Sequence, residues 1–527
     1  MGMESTVRDA VAAGRTALGI ELGSTRIKAC LIGPDHAVLA SGSSAWENDL
    51  VDGHWTYSLD AVWDGLRAAV GGLLAEFEER HGIRPVVGAL GVSAMMHGYL
   101  AFDAAGELLV PFRTWRDTTT GEAAAELTEL FGQNIPLRWS IAHYRQAMLD
   151  QEAHVAQVAH LTTLAGYVHW QLTGERVLGV GDASGMFPID PGTGTYDADL
   201  LARFDKLAGS GVLVDLLPAV LPAGAAAGAL SAAGAQRLDP TGTLTAGIPC
   251  CPPEGDAGTG MVATNSVAPR TGNVSAGTSV FAMVVLERAL REVHHEIDVV
   301  TTPAGDPVAM VHCNNGASEL GAWAAVFGEL AAALGRDASG DEVFAALLGA
   351  AAGGEPDAGG LVAYTFVSGE PVAGLADGRP MVVRTPTSRL TLANLARAQV
   401  YSVFATLALG MRVLEREGVE VDAMFAHGGI FRTAGVAQRA LAAALEVPVT
   451  VGETAGEGGA WGIAVLAAYH RDGAAEPLAR HLAETVFADT STTVATPEPG
   501  EVAGFAAYLD RFVAGLPAEQ AAAATIN

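Results

Sequence analysis

Cysteine is nearly absent: Cys30, Cys250, Cys251 and Cys313 are the four in 527 residues. Their spacing holds no CxxC pair and no Cys/His alternation, so neither a zinc site nor a disulfide framework is indicated. A reducing cytoplasm is the expected compartment. Aromatic residues are scarce at 6%, although 50% of the chain is hydrophobic. Alanine and 64 glycines carry the excess, a composition that excludes disorder and collagen-like repetition. Basic residues are outnumbered, 30 Lys+Arg against 59 Asp+Glu, for a net charge of −29. That field repels nucleic-acid phosphates and anionic membranes, so neither is an expected partner. An apolar core is missing from the first fifteen residues, MGMESTVRDAVAAGR, which read as a flexible leader (1–15) rather than a signal peptide. The longest uncharged stretch, Leu216 to Ala235, is interrupted by Pro218, Pro222, Gly224, Gly228 and Gly234, and reads as a connector rather than a membrane span.

What is present has the length of two or three domains. Leu18 to Leu22 and Ile27 to Ile32 flank Gly23-Ser24-Thr25 as two strands about a glycine-containing turn, and Ala37 to Ala40 adds a third strand. Such a meander disfavours a Rossmann opening, which runs from strand to helix. A second copy of the pattern, Val274 to Val284 around Gly277-Thr278-Ser279, lies about half a chain later and suggests a duplicated domain. Helices are expected at Leu59 to His81, Thr120 to Leu130, Leu392 to Glu417 and Gly435 to Leu445. Strands are expected at Val86 to Val92, Leu108 to Val110 and Ala423 to Ala426. The alternation makes the fold class α/β.

Several segments carry groups suited to chemistry, each with a plainer reading beside it. Gly23-Ser24-Thr25 with Lys28 can wrap N–H groups and a positive charge around phosphate oxygens, or be an ordinary hairpin. Its pairing with Gly277-Thr278-Ser279 favours phosphate. Asp256, in the loop Pro252 to Gly260, can serve as a general base or form a simple Asp turn. Its neighbour Glu254 is expected to matter much less. His97, after Met95-Met96, sits at a strand's C-terminal end, where open α/β sheets bind ligands, or is a structural histidine. Trp115-Arg116-Asp117 combines an aromatic face, a guanidinium and a carboxylate, as polyol recognition requires; the alternative is a surface ion pair at a helix entry. Gly428-Gly429 lets a ligand approach bare backbone. Gly456 to Gly462 opens a helix whose small residues leave room for a flat ring, or for close helix packing.

In order and spacing these motifs resemble the FGGY family of carbohydrate kinases, from about Ala17 to His470. The resemblance implies two duplicated actin-like ATPase (ribonuclease H-like) domains with an interdomain cleft. It assigns 16–262 as an N-terminal domain with the sugar site and phosphate turn, 263–475 as a C-terminal nucleotide-binding domain, and 476–527 as an extension with a short helix at Val502 to Leu516. Dimerisation is one use for that extension. The implied chemistry is ATP-dependent phosphorylation of a sugar hydroxyl with Mg²⁺ neutralising the phosphates. Asp256 matches the catalytic base. Met96, His97, Trp115 and Asp117 fall at the sugar. Gly23, Ser24, Thr25, Lys28, Gly277, Thr278, Ser279, Gly428 and Gly429 fall at the nucleotide, and Glu21 at the metal.

The chain departs from the family pattern at four places. Glu21 stands where the first strand usually has Asp, Met95 where xylulokinases often have Gln, and Thr119 where an arginine usually follows the Trp-x-Asp pair. Arg397 to Tyr401 replaces an Arg-Ala…Glu-Gly pattern. The expected substrate is a small neutral sugar, most closely a ketopentose as for xylulokinase, with an L-ribulokinase-like or other polyol kinase as the alternative. A non-catalytic actin-like ATPase is the reading from another class.

Overall fold

The computed structural model describes residues 8–9, 11–209, 213–433, 435–452 and 458–526. In chain order the elements that frame the sites begin with strands β1 (Ala17–Leu22), β2 (Arg26–Ile32) and β3 (Val38–Ala45). Next come a hairpin of β4 (Asp49–Val51) and β5 (His54–Thr56), helix α1 (Leu59–His81) and strand β6 (Ala89–Ala94). After α2 (Val180–Ala183), β7 (Glu254–Gly255) and α3 (Asp256–Ala263) come β8 (Thr271–Ala276), β9 (Val280–Val285), β10 (Ile297–Thr301) and β11 (Pro307–Cys313). The last part holds α4 (Leu392–Arg416), β12 (Ala423–His427), α5 (Val436–Leu445), β13 (Val449–Gly452), α6 (Gly458–Arg471), β14 (Thr492–Ala495) and α7 (Pro499–Thr525).

Local chemistry sets these limits. Helix α1 begins where the Ser58 hydroxyl accepts the Ala61 N–H at 3.1 Å, and ends where Gly82 adopts φ 67°. The strand expected at Leu108 to Val110 does not form: after a turn at Asp103 to Gly106 the chain makes a single bridge, Leu108 to Phe102, too short for a ladder. The terminal helix is longer than Val502 to Leu516. It runs 27 residues through Pro517, whose ring removes one internal hydrogen bond, and is anchored earlier by buried Phe505, Tyr508, Leu509 and Phe512.

Packing gathers the described residues into two compact units. Those within Met1–Val267, Val299–Val308 and Glu457–Asp489 form one, and those within Ala268–Asp298, Ala309–Gly456 and Thr490–Asn527 the other. The first unit holds a five-stranded sheet in the order β7-β6-β1-β2-β3, with β1 antiparallel to β2 and parallel to β6. Gly42 pairs with Ala29, and Ala29 with Ile20, so Gly42 and Gly19 point to opposite faces. A Cβ on Gly42 would lie 2.0 Å from the Ala69 carbonyl of α1, and one on Gly19 would lie 2.1 Å from the Ala460 carbonyl of α6. The sheet is therefore sandwiched between two helices at backbone contact, which is the use made of so much glycine and alanine.

The second unit repeats the scheme. Its sheet runs β9-β8-β12-β13-β14 over the strands that lie wholly within it, and β8 is antiparallel to β9 and parallel to β12, as β1 is to β2 and β6. The duplication read from the two glycine turns is thus present in the strand topology. Among the described residues, no helix is long and apolar enough to cross a membrane. All four cysteines are buried.

Candidate active site

In the first unit, Leu22 of β1 pairs with Ala94 of β6, and Ala94 with Gly255 of β7, all parallel. These strands end level with one another, so the segments that leave them start side by side, at the edge where parallel sheets present ligand groups. The Gly23-Ser24-Thr25 turn leaves β1 there, Met95-Met96-His97 leaves β6, and Asp256 leaves β7.

Asp256 is the first residue of α3 rather than part of a loop, because an acidic side chain is favoured in a helix's first turn. Its Oδ1 accepts the N–H of Met96 and of Ala257, each at 3.0 Å. Gly255 is required beside it, since a Cβ there would lie 2.1 Å from the Met96 Cγ. The Asp256 side chain is open to solvent but closely surrounded by protein. That surrounding, with the Glu21 charge, outweighs the Met96 bond and pushes its pKa up to about 6.

Glu21 lies 3.8 Å from Nζ of Lys28, one of two lysines in the chain, and accepts main-chain N–H bonds from Ala460 and Gly459 at the start of α6. Burial raises its pKa despite the lysine. Mg²⁺ is commonly held by one or two carboxylates together with phosphate oxygens and water, and the Glu21 and Asp256 pair, close enough to feel each other's charge, supplies such a donor set. The adjacent turn is fixed from the hairpin side. Trp46 Nε1 donates to the Gly23 carbonyl at 2.7 Å, and the Tyr57 hydroxyl to the Ser24 carbonyl at 2.6 Å.

His97 takes φ 70°, an uncommon conformation for a side-chain-bearing residue, and lies buried with its Nδ1 3.4 Å from the Gly185 carbonyl. A Cβ on Gly185 would collide with the ring at 2.6 Å. Asp117 is buried as well. Its Oδ1 accepts the Thr119 N–H at 2.9 Å and hydroxyl at 2.7 Å, while Oδ2 pairs with His54 of β5. Burial alone would raise its pKa, but the Thr119 and His54 bonds outweigh it and hold the carboxyl below the usual range. Trp115 keeps 37% of its surface exposed, whereas Arg116 lies over the Trp55 ring at 4.0 Å. Neither a free guanidinium nor a surface ion pair at a helix entry results: Asp117 is an internal acceptor and Arg116 a stacking group.

In the second unit, Ser275 of β8 pairs with His427 of β12, which sets the exposed Gly277-Thr278-Ser279 turn beside Gly428-Gly429. Gly428 has φ 118°, and a Cβ there would lie 2.1 Å from the Ala276 carbonyl. The Gly277 carbonyl accepts the Ala317 N–H and the Thr278 carbonyl the Gly316 N–H, both at 2.8 Å. Gly456 and Glu457 lie outside the described residues. From Gly458 onward the small residues of α6 leave no room for a ring: a Cβ on Gly462 would meet the Thr259 carbonyl at 2.2 Å. Close packing, not ring binding, is their use.

Sequence reasoning missed His54, Asp182 and the role of Glu254. Glu254 is fully buried, with its oxygens accepting the N–H groups of Gly181 at 3.3 Å and Asp182 at 2.9 Å. It is no neutral neighbour of Asp256. The signal available was Gly179 and Gly181 flanking Val180: a Cβ on either would fall within 2.4 Å of a Glu254 carboxyl oxygen.

Paired sheets, each opened by an antiparallel strand pair with a glycine turn and continued by parallel strands, define an actin-like ATPase fold. The chain belongs to the FGGY family of carbohydrate kinases, whose N-terminal domain matches residues 16–262 and C-terminal domain residues 272–471. The chain is 24% identical over 420 residues to a xylulose kinase of Klebsiella pneumoniae, covering 78% of this chain and 81% of that one. It is 26% identical over 161 residues to rhamnulokinases of Yersinia pestis, a match spanning 29% of this chain and 32% of theirs. Among solved structures, a xylulose kinase from Rhodospirillum rubrum superposes with TM-score 0.78 at 23% identity, covering 96% of this chain and 99% of that chain. A gluconate kinase from Lactobacillus acidophilus superposes with TM-score 0.79 at 17% identity, covering 97% and 99%.

Proposed function

We propose that this protein transfers the γ-phosphoryl group of ATP to a hydroxyl of a small neutral sugar in the cytoplasm, with a ketopentose as the preferred acceptor. The observation that carries this reading is Asp256, open to solvent at the end of β7, tied to the Met96 main chain beside His97, with its pKa raised to about 6. A carboxylate so tuned is basic enough to take a hydroxyl proton and still ionised at neutral pH. In this reading His97, Met96, Trp115 and Asp117 line the sugar, with Trp115 covering its C–H face. The Gly23 to Thr25 turn with Lys28, and likewise Gly277 to Ser279 with Gly428-Gly429, are positions suited to nucleotide phosphates through main-chain N–H groups. Glu21 holds Mg²⁺, which when bound neutralises phosphate charge.

The xylulose kinase relatives support the ketopentose choice, and the gluconate kinase and rhamnulokinase likenesses name the competitors. Net charge of −29 disfavours gluconate, since a like-charged field slows an anionic acceptor. The test is ADP release over D-xylulose, L-xylulose, D-ribulose, L-ribulose, glycerol, L-fuculose, L-rhamnulose and gluconate. A ketopentose should give the highest kcat/KM. A lead for glycerol, gluconate or a deoxyhexulose overturns the acceptor, and no stimulation by any sugar overturns the kinase reading.

A further inference from the structure

Asn315, just after β11, is buried, and so is Glu370, 55 positions later. Oε2 of Glu370 accepts the Asn315 main-chain N–H at 3.1 Å and its side-chain Nδ2 at 3.0 Å. Asn315 Oδ1 in turn accepts the N–H groups of Val367 at 2.9 Å and Ser368 at 3.1 Å, and its Nδ2 also donates to the Ser368 carbonyl at 3.2 Å. Asn314 adds a bond from its Nδ2 to the Gly369 carbonyl at 2.8 Å. The segment on the far side is itself tightly closed. Glu370 and Leu375 exchange main-chain hydrogen bonds at 2.8 and 3.0 Å, and a Cβ on Gly369 would lie 2.5 Å from the Ala376 carbonyl. Buried polar side chains bonded so fully hold one backbone geometry, since a shift leaves several groups unpaired at once.

That geometry passes directly to the second glycine turn. Gly316 and Ala317, the two residues after Asn315, are those whose N–H groups hold the Thr278 and Gly277 carbonyls. The approach is close enough that a Cβ on Gly316 would lie 2.5 Å from the Gly277 carbonyl oxygen. In a planar trans peptide the C=O and the N–H point in opposite directions. Holding the Gly277 and Thr278 carbonyls toward Gly316 and Ala317 therefore turns the N–H groups of Thr278 and Ser279 the other way. We propose that Asn315 and Glu370 are positioning residues for the Gly277 to Ser279 turn: they fix the two amides that hold its carbonyls, and so aim the Thr278 and Ser279 N–H groups at a nucleotide phosphate.

The inference rests on the nucleotide part of the kinase reading, and binding tests it without turnover. In the full-length protein, calorimetry measures AMP-PNP, which presents phosphates, and saturation-transfer NMR measures adenosine, which has none. Glu370→Met keeps the bulk and removes the acceptor, Glu370→Gln keeps the single oxygen that Asn315 uses, and Asn315→Ala removes the clamp from its other side. Glu370→Met and Asn315→Ala should weaken AMP-PNP about tenfold or more while adenosine stays within about twofold. Glu370→Gln should hold AMP-PNP to within about threefold of wild type. In turnover the KM for ATP should rise in the two defective variants and the KM for sugar should not. AMP-PNP bound as tightly by these variants as by wild type overturns the inference, and so does an equal loss of adenosine, which is the mark of a merely structural role. Should Glu370→Met not fold, Asn315→Ala decides alone. If the variants behave as expected but no sugar is phosphorylated, only the acceptor part of the kinase reading fails; if the wild type binds no AMP-PNP, the nucleotide assignment and this inference fail together.

Discussion

Asp256 makes two opposite demands of pH. As a base it must be ionised, so kcat/KM should climb through about pH 6 and level off above it. Folding runs the other way: a carboxyl raised from its ordinary 3.8 to about 6 stabilises most while protonated, and that contribution disappears as pH rises through this interval. Asp256→Asn should preserve the melting temperature and sugar binding while cutting kcat about 10²- to 10⁴-fold, read as ADP release. Near-normal turnover would exclude it as the base. His54 presents a separate case, since it fills one oxygen of Asp117. His54→Ala should raise the KM for sugar with little change in kcat, by about 1–3 kcal/mol for a buried acceptor left short of a donor. The local motifs were readable because each stands on a contiguous stretch. The Glu254 contact with the Asp182 main chain was not, because 72 positions separate the two.

At the scale of elements, strands about Gly23 and Gly277 and the helices α1 and α4 were legible from periodicity and end signals. Asp256 read as a turn because glycines surround it, yet an acid directly after Gly255 is also how a helix starts. The small residues of α6 were ambiguous for a different reason. A glycine-rich helix face looks the same in sequence whether a ligand or a backbone meets it, and only the Thr259 and Gly19 contacts decide. Gly19→Ala is the direct probe, since its methyl would lie 2.1 Å from a carbonyl oxygen of a helix that cannot yield locally. The expected cost is about 1–3 kcal/mol or more, read as a lower urea midpoint. Gly71→Ala, where an added Cβ meets nothing within 4 Å, is the control and should not destabilise.

Considered whole, the molecule does not divide at one point along its sequence. The two glycine turns place two similar domains in succession, but the first unit also takes residues from Val299–Val308 and Glu457–Asp489. No local pattern announces that, because α6 is as ordinary a helix as any other until its partner is known. A fragment of residues 1–267 should therefore remain soluble poorly and bind a dye specific for exposed apolar surface. Supplying residues 457–489 through a flexible linker should suppress that binding. A fragment that melts cooperatively without the addition would show that α6 is dispensable.

The position of α6 also bears on the order in which the chain is made. Strand β1 leaves the ribosome early, but the helix that covers one face of it is translated about 440 residues later. At about 5–20 residues per second, that face waits roughly 20 to 90 s for its partner. Through this interval Ala17, Cys30 and Ile32, which share the face of Gly19, lack the helix that covers them in the finished fold. The nascent chain thus carries an uncovered strand face through most of its synthesis, and slowing translation anywhere between α1 and α6 lengthens that interval.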